Sequence, residues 1–287
     1  MEGLWVFFLL IFIAALPVLL IYLWARSGKF PLSTLWFLFS LLAGILALGI
    51  AVLLQSLLSP LQGMMAQEGG LGVIFFHTMV RIALTEEAGR FTALFLLFRL
   101  GDCCASRIKP QKITDQAIFY PTISENMPIN RDFLRHQAQK IHKYNRLLGS
   151  RLPGRAGPGE IQADGFPDIR AFGAAAGLTA GLGFALIESA VYGAANMEIT
   201  LLRAVTSAPL HGACGARIGI AAGLGTREPV HALGRFVSAV AIHGMYNFMV
   251  VSPGLPAILL ALLITFTALA SSIQIIRTGA PASGPTE

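Results

Sequence analysis

The chain has 287 residues, 55% of them hydrophobic and only 13% charged, where soluble domains carry about 25% charged residues. With a mean hydropathy of +0.67, that balance excludes an ordinary soluble enzyme or binding domain and describes a multi-pass membrane protein. The net charge of +6 is mostly a topology signal, and no nucleic-acid role is needed to explain it.

Seven apolar stretches, at 3–24, 35–58, 71–100, 171–195, 200–224, 236–251 and 255–276, predict an all-α polytopic fold of about seven transmembrane helices. Residues 1–100 hold the first three helices, 101–170 a basic loop, and 171–287 the remaining four. Arg26, Lys29, Arg227, Arg235, Arg277 and the basic loop follow alternate helices, whereas the connections between them lack Lys and Arg. That asymmetry predicts the N-terminus outside and the C-terminus inside a cell membrane. The chain opens on Glu2 and runs through Pro17 and Trp24, so the first helix is expected to be retained rather than cleaved as a signal peptide.

Taken in order, stretches one and two carry no ionisable residue at mid-length, and lipid contact or packing explains them. Stretch three holds Glu86 and Glu87 at its centre, with Arg81 and Arg90 within about one turn. Ionisable residues inside a membrane are expensive and usually face protein or water. Pairing with arginine alone would explain one glutamate, but Glu188, His211 and His243 fall near the middle of later stretches, which points to one convergent site. His77, outward of Glu86 on stretch three, is expected to be structural.

The loop at 101–170 contains eleven of the 21 Lys and Arg residues. Within it, 131–151 has apolar residues at helical spacing among basic ones, which suits a helix on anionic headgroups. Stretch four opens with Gly173, Gly177, Gly181 and Gly183, allowing a neighbouring helix close to its backbone. Phe184, Glu188 and Tyr192 follow at four-residue steps on one face. Stretch five presents Arg203, Pro209, His211, Gly215 and Gly219, with Pro209 expected to loosen the helix where His211 is displayed. In stretch six, His243 and Asn247 share a face. Cys103, Cys104 and Cys214 form neither a disulfide framework nor a spaced metal motif.

These residues resemble the PrsW-type intramembrane proteases, relatives of the CAAX prenyl proteases. The resemblance rests on Glu86-Glu87-Ala-Gly-Arg90, then Gly183-Phe184-Ala-Leu-Ile-Glu188-Ser-Ala-Val-Tyr192, then Arg203 with His211, and His243-Gly-Met-Tyr-Asn247, in that order. The family often has Lys at the position of Arg90 and Asn at that of Ser189. The CAAX proteases usually carry His at the position of Glu188, so the likeness favours the PrsW branch. It implies cleavage of membrane-anchored proteins, an anti-sigma-factor-like regulator among them.

Peptide hydrolysis requires a base for water, stabilisation of the oxyanion and an acid for the leaving amine. Adjacent carboxylates in a low dielectric resist double ionisation, which suits acid and base work. On this reading Glu86 activates water, Glu87 is held by Arg90 or Arg81, His211 or Glu188 positions the water, and His243 with Asn247 polarises the carbonyl. Arg90, Arg203, Phe184 and Tyr192 support them. No cofactor is expected. The alternative enzyme reading binds Zn²⁺ through His211, His243, Glu188 and Glu86, and a non-catalytic scaffold or proton-linked transporter is the alternative from another class.

Overall fold

The computed structural model describes residues 2–65, 70–107, 168–193, 197–225, 227–251 and 254–278. The amphipathic helix expected at 131–151 lies outside the described residues. Their regular elements are all helical: α1 (Glu2–Trp24) with a π-helical end (Ala25–Lys29), α2 (Thr34–Met65), α3 (Leu71–Phe76), a π-helical stretch (His77–Leu84), α4 (Thr85–Arg107), α5 (Ile169–Gly193), α6 (Met197–Val205), α7 (Ser207–Leu224), α8 (Pro229–Val251) and α9 (Leu255–Thr278).

Helix therefore occupies each of the seven apolar stretches. Among the described residues, four helices are long and apolar enough to cross a membrane on length and composition alone: α1, α2, α5 and α9. The others are interrupted or carry the charged residues of the site, which lowers their hydropathy. Helix α5 is the centre of the bundle, with 72% of its apolar window buried against 11% for α1. Leucines and phenylalanines of α1 and α9, such as Leu20, Leu23, Leu263 and Phe266, remain exposed on the outside, as residues solvated by lipid tails would be.

The contact between α5 and α7 is made by backbone. A Cβ at Gly173, Gly177 or Gly181 would meet the main chain at Gly219, Gly215 or His211, and one at Gly215 or Gly219 would meet that of α5. The two glycine stripes read from the sequence are thus opposite sides of one antiparallel contact.

Three boundaries differ from the sequence reading. Helix α8 begins at Pro229 rather than near residue 236, because proline suits a first helical position and the polar residues of the added turns face outward. Stretch five breaks at Thr206, three residues before Pro209; the proline sits in the first turn of α7, where its missing N–H costs nothing. The third stretch carries the π-helical segment immediately before the glutamates. Thr85 Oγ1 donates to the carbonyls of Arg81 (2.5 Å) and Ile82 (3.0 Å), satisfying main-chain groups where the two ladders join.

Candidate active site

Five elements deliver the site. On α4, i,i+3 and i,i+4 spacing brings Arg90 back onto both glutamates: Nη1 lies 2.9 Å from Glu87 Oε1 and Nη2 3.3 Å from Glu86 Oε2. Arg90 and Glu87 are completely buried, and Glu86 nearly so. The guanidinium reaches further: Nη2 is 3.0 Å from His211 Nδ1 on α7 and 3.5 Å from His243 Nδ1 on α8. Its plane rests over Phe184, 4.5 Å from the ring centroid, and Phe184 also packs on His211. Arg90 is therefore the hub of the cluster, and Phe184 its floor.

His243 Nδ1 lies 2.7 Å from Glu87 Oε1, while its Nε2 faces Glu86 Oε2 at 3.7 Å. A carboxylate at hydrogen-bond distance assigns the ring proton to Nδ1, leaving Nε2 bare toward Glu86. His211 has the opposite arrangement. Because a guanidinium can only donate, Nδ1 accepts from Arg90, so Nε2 carries the proton and donates to Glu188 Oε2 at 2.7 Å. The two imidazoles meet edge to face, with centroids 5.0 Å apart. Helix α8 comes close to the π-helical stretch beside His243 because Gly244 has no side chain: an added Cβ would strike Met79.

Glu188, on α5, is held from its other side by Arg203 of α6, with Nη2 2.6 Å from Oε2. Arg203 also donates to Ser207 Oγ at 3.1 Å and lies over the Tyr192 ring at 4.5 Å. Exposure rises along this chain of contacts, from Glu86 through Glu188 and Arg203, with 14% and 21% of their side chains exposed, to Tyr192 at 55%. The cluster thus reaches the surface on the α5–α6 side.

Every residue of the proposed set except Asn247 enters one network. Asn247 is half-buried, one turn beyond His243, and makes no hydrogen bond to the cluster among the described residues. Glu87 is held by Arg90, while Arg81 forms no ion pair among the described residues. Ser207 is the contributor that sequence reasoning missed; its position four residues after Arg203 is the available signal, obscured by the helix break between them. With neutral imidazoles, three carboxylates and two guanidiniums leave one net negative charge, which one proton or a bound cation would balance.

No curated protein and no solved structure matches the chain. Residues 168–272 match the model of the PrsW family intramembrane metalloproteases, a span that includes Glu188, His211 and His243. That match, across the helices that carry both histidines, makes this part of the chain similar to the PrsW-type intramembrane proteases, and together with the four long apolar helices it describes a multi-pass membrane protein.

Proposed function

We propose that the cluster hydrolyses peptide bonds of membrane-anchored proteins with a water activated by Glu86. The supporting observation is the 3.7 Å separation of Glu86 Oε2 from the bare Nε2 of His243, which lets one water reach both with hydrogen bonds of about 3 Å. Glu86 takes the water proton as oxygen attacks the scissile carbonyl. Glu87 keeps the His243 lone pair aimed at that water. Arg90 supplies positive charge beside the developing oxyanion, and the Asn247 amide is free to donate to it. Glu86 then passes that proton to the departing amine, while His211 is oriented by its Nε2–H donation to Glu188 and Arg203 keeps Glu188 in place. The substrate segment enters on the side of Tyr192 and Arg203. A regulator anchored by one span, similar to an anti-sigma factor, is the substrate class that the family resemblance favours.

A second reading is favoured by the donor set. The family is described as metalloproteases, and Glu86, His211 and His243 each bring a ligand atom within 4.8 Å of the others, all buried. Two imidazoles and a carboxylate suit zinc, and Glu87 orients His243 through its other ring nitrogen as carboxylates do for ligating histidines. Those three residues would hold the ion, which when bound would supply a Lewis acid for the peptide carbonyl. Against it, Arg90 and Glu188 engage both nitrogens of His211. The expected result with purified protein cleaving a single-span substrate in liposomes is therefore little effect of phenanthroline. Loss of cleavage on chelation, restored by Zn²⁺ with a stoichiometric ion by metal analysis, would establish the metal reading and leave the peptidase standing.

We further propose seven spans in the cell membrane with the N-terminus outside, the C-terminus inside, and the loop 101–170 in the cytoplasm between the helical units 1–100 and 171–287. The Lys and Arg distribution supports this. Single cysteines introduced in the loop should react with a membrane-impermeant reagent only after cells are opened; labelling of intact cells would overturn the orientation.

A further inference from the structure

A second feature lies at the far end of α4, where that helix meets the start of α5 and the close of α7. Here a cavity of about 60 Å³ is walled by Phe95, Phe98, Ile169 and Phe172, with Arg99 and Arg227 also lining it. Among the described residues no acidic side chain lines it and neither arginine makes an ion pair. Glu228, adjacent to Arg227, is engaged by Arg170 at 3.2 Å and His231 at 3.3 Å. Arg99 and Arg227 are both exposed, and Arg99 leans over the Phe95 ring, 4.9 Å from its centroid.

The volume is far below the roughly 300–1,000 Å³ of pockets that enclose a small molecule. It suits the end of a larger ligand whose remainder lies along the helices. Two guanidiniums without a carboxylate call for an anion, and the aromatic walls call for hydrocarbon beside it. Trp36 packs on the Phe98 and Phe172 walls of the cavity, and the chain order puts Arg26, Arg170, Arg235 and Arg277 at the corresponding ends of their helices, the composition of a membrane–water boundary.

We propose that this cavity binds an anionic phospholipid, with its phosphate between Arg99 and Arg227 and its glycerol and first methylenes against Phe95, Phe98 and Phe172. Free phosphate would leave the aromatic walls without a partner, which is why a lipid is the occupant. Because Phe95, Phe98 and Arg99 belong to the helix that opens with Glu86 and Glu87, the lipid clamps that helix against α5 and α7. Its binding reports as stability of the whole chain.

The test uses the full chain purified in an uncharged detergent, with its melting followed on adding phosphatidylglycerol, phosphatidylcholine of the same acyl chains, or inorganic phosphate. Phosphatidylglycerol at ten times its dissociation constant should raise the melting temperature by about 3 °C, and the other two should not. The double variant Arg99→Gln/Arg227→Gln should lose that shift while melting like the parent in phosphatidylcholine. Gly223→Leu fills the cavity from α7 with both arginines kept; its added Cβ has only ordinary contacts, the nearest 3.6 Å away at Ile169, and it too should lose the shift. Equal shifts with both lipids, a shift with phosphate alone, or a phosphatidylglycerol shift that survives Gly223→Leu would each overturn the proposal. So would the absence of any shift in the parent, the outcome expected if the segment 108–167 fills the cavity.

Discussion

Glu86→Gln lowers peptide-bond cleavage by at least about 100-fold, the lower end of what a general base contributes, with no loss of expression or helical content. Glutamine keeps the volume and an acceptor oxygen for Arg90, so the contact at 3.3 Å survives. What disappears is the ability to take a proton from water beside His243. The measurement is single-turnover cleavage of a one-span substrate by the parent and variant in the same liposomes, with melting temperature as the control for folding. Retention of full activity would remove the role given to Glu86 and the water-activation scheme with it. The same variant in the metal reading loses a ligand, so chelation and metal analysis, rather than this substitution, separate the two chemistries.

The largest effect on stability is expected at Arg90. Arg90→Met keeps length and apolar contact with Phe184 but removes the one cation that touches both α4 glutamates and lies against both histidines. Breaking a buried ion pair from one side costs about 3–5 kcal/mol, because the remaining charge stays buried without compensation. Here Glu86 and Glu87 lose the same partner together. Melting in detergent should fall by more than about 6 °C for a chain of this size, and cleavage should be abolished. Arg90→Lys supplies the charge as a point rather than a planar fork, so it should recover part of the stability and little of the activity. A parent-like melting temperature for Arg90→Met would show that the cluster does not depend on this cation.

The clustering of residues was legible in the sequence where chemistry and periodicity coincide. An ionisable residue inside an apolar run is expensive wherever it occurs, so Glu86, Glu87, Glu188, His211 and His243 drew attention before any contact was known. Glycine at four-residue steps likewise announced the α5–α7 approach. The missed features depend on tertiary structure. A π-helical stretch differs from an α-helix by its hydrogen-bond partners, and nothing in the composition of His77–Leu84 encodes that choice. The reach of Arg90 to His211 and His243, 121 and 153 residues away, is set by helix packing. Proline drew the expected break to residue 209, whereas the chain breaks at Thr206 and uses Pro209 to begin the next helix.

The glycine contact between α5 and α7 also divides the bundle mechanically. Where backbone lies on backbone there are no side chains to swing aside, so this pair can neither slide nor open by changing rotamers, and it carries Glu188 and His211 at one end. The walls on the opposite side, the π-helical stretch with Met79 and helix α8, meet through side chains that do have alternatives. An extended peptide needs about 4.8 Å to a neighbouring backbone in its hydrogen-bonding direction and about 10 Å between the walls that its side chains face. Half of the site thus behaves as an anvil of fixed shape, and the widening that a peptide entering past Tyr192 requires falls to the compliant half that carries Glu86 and His243.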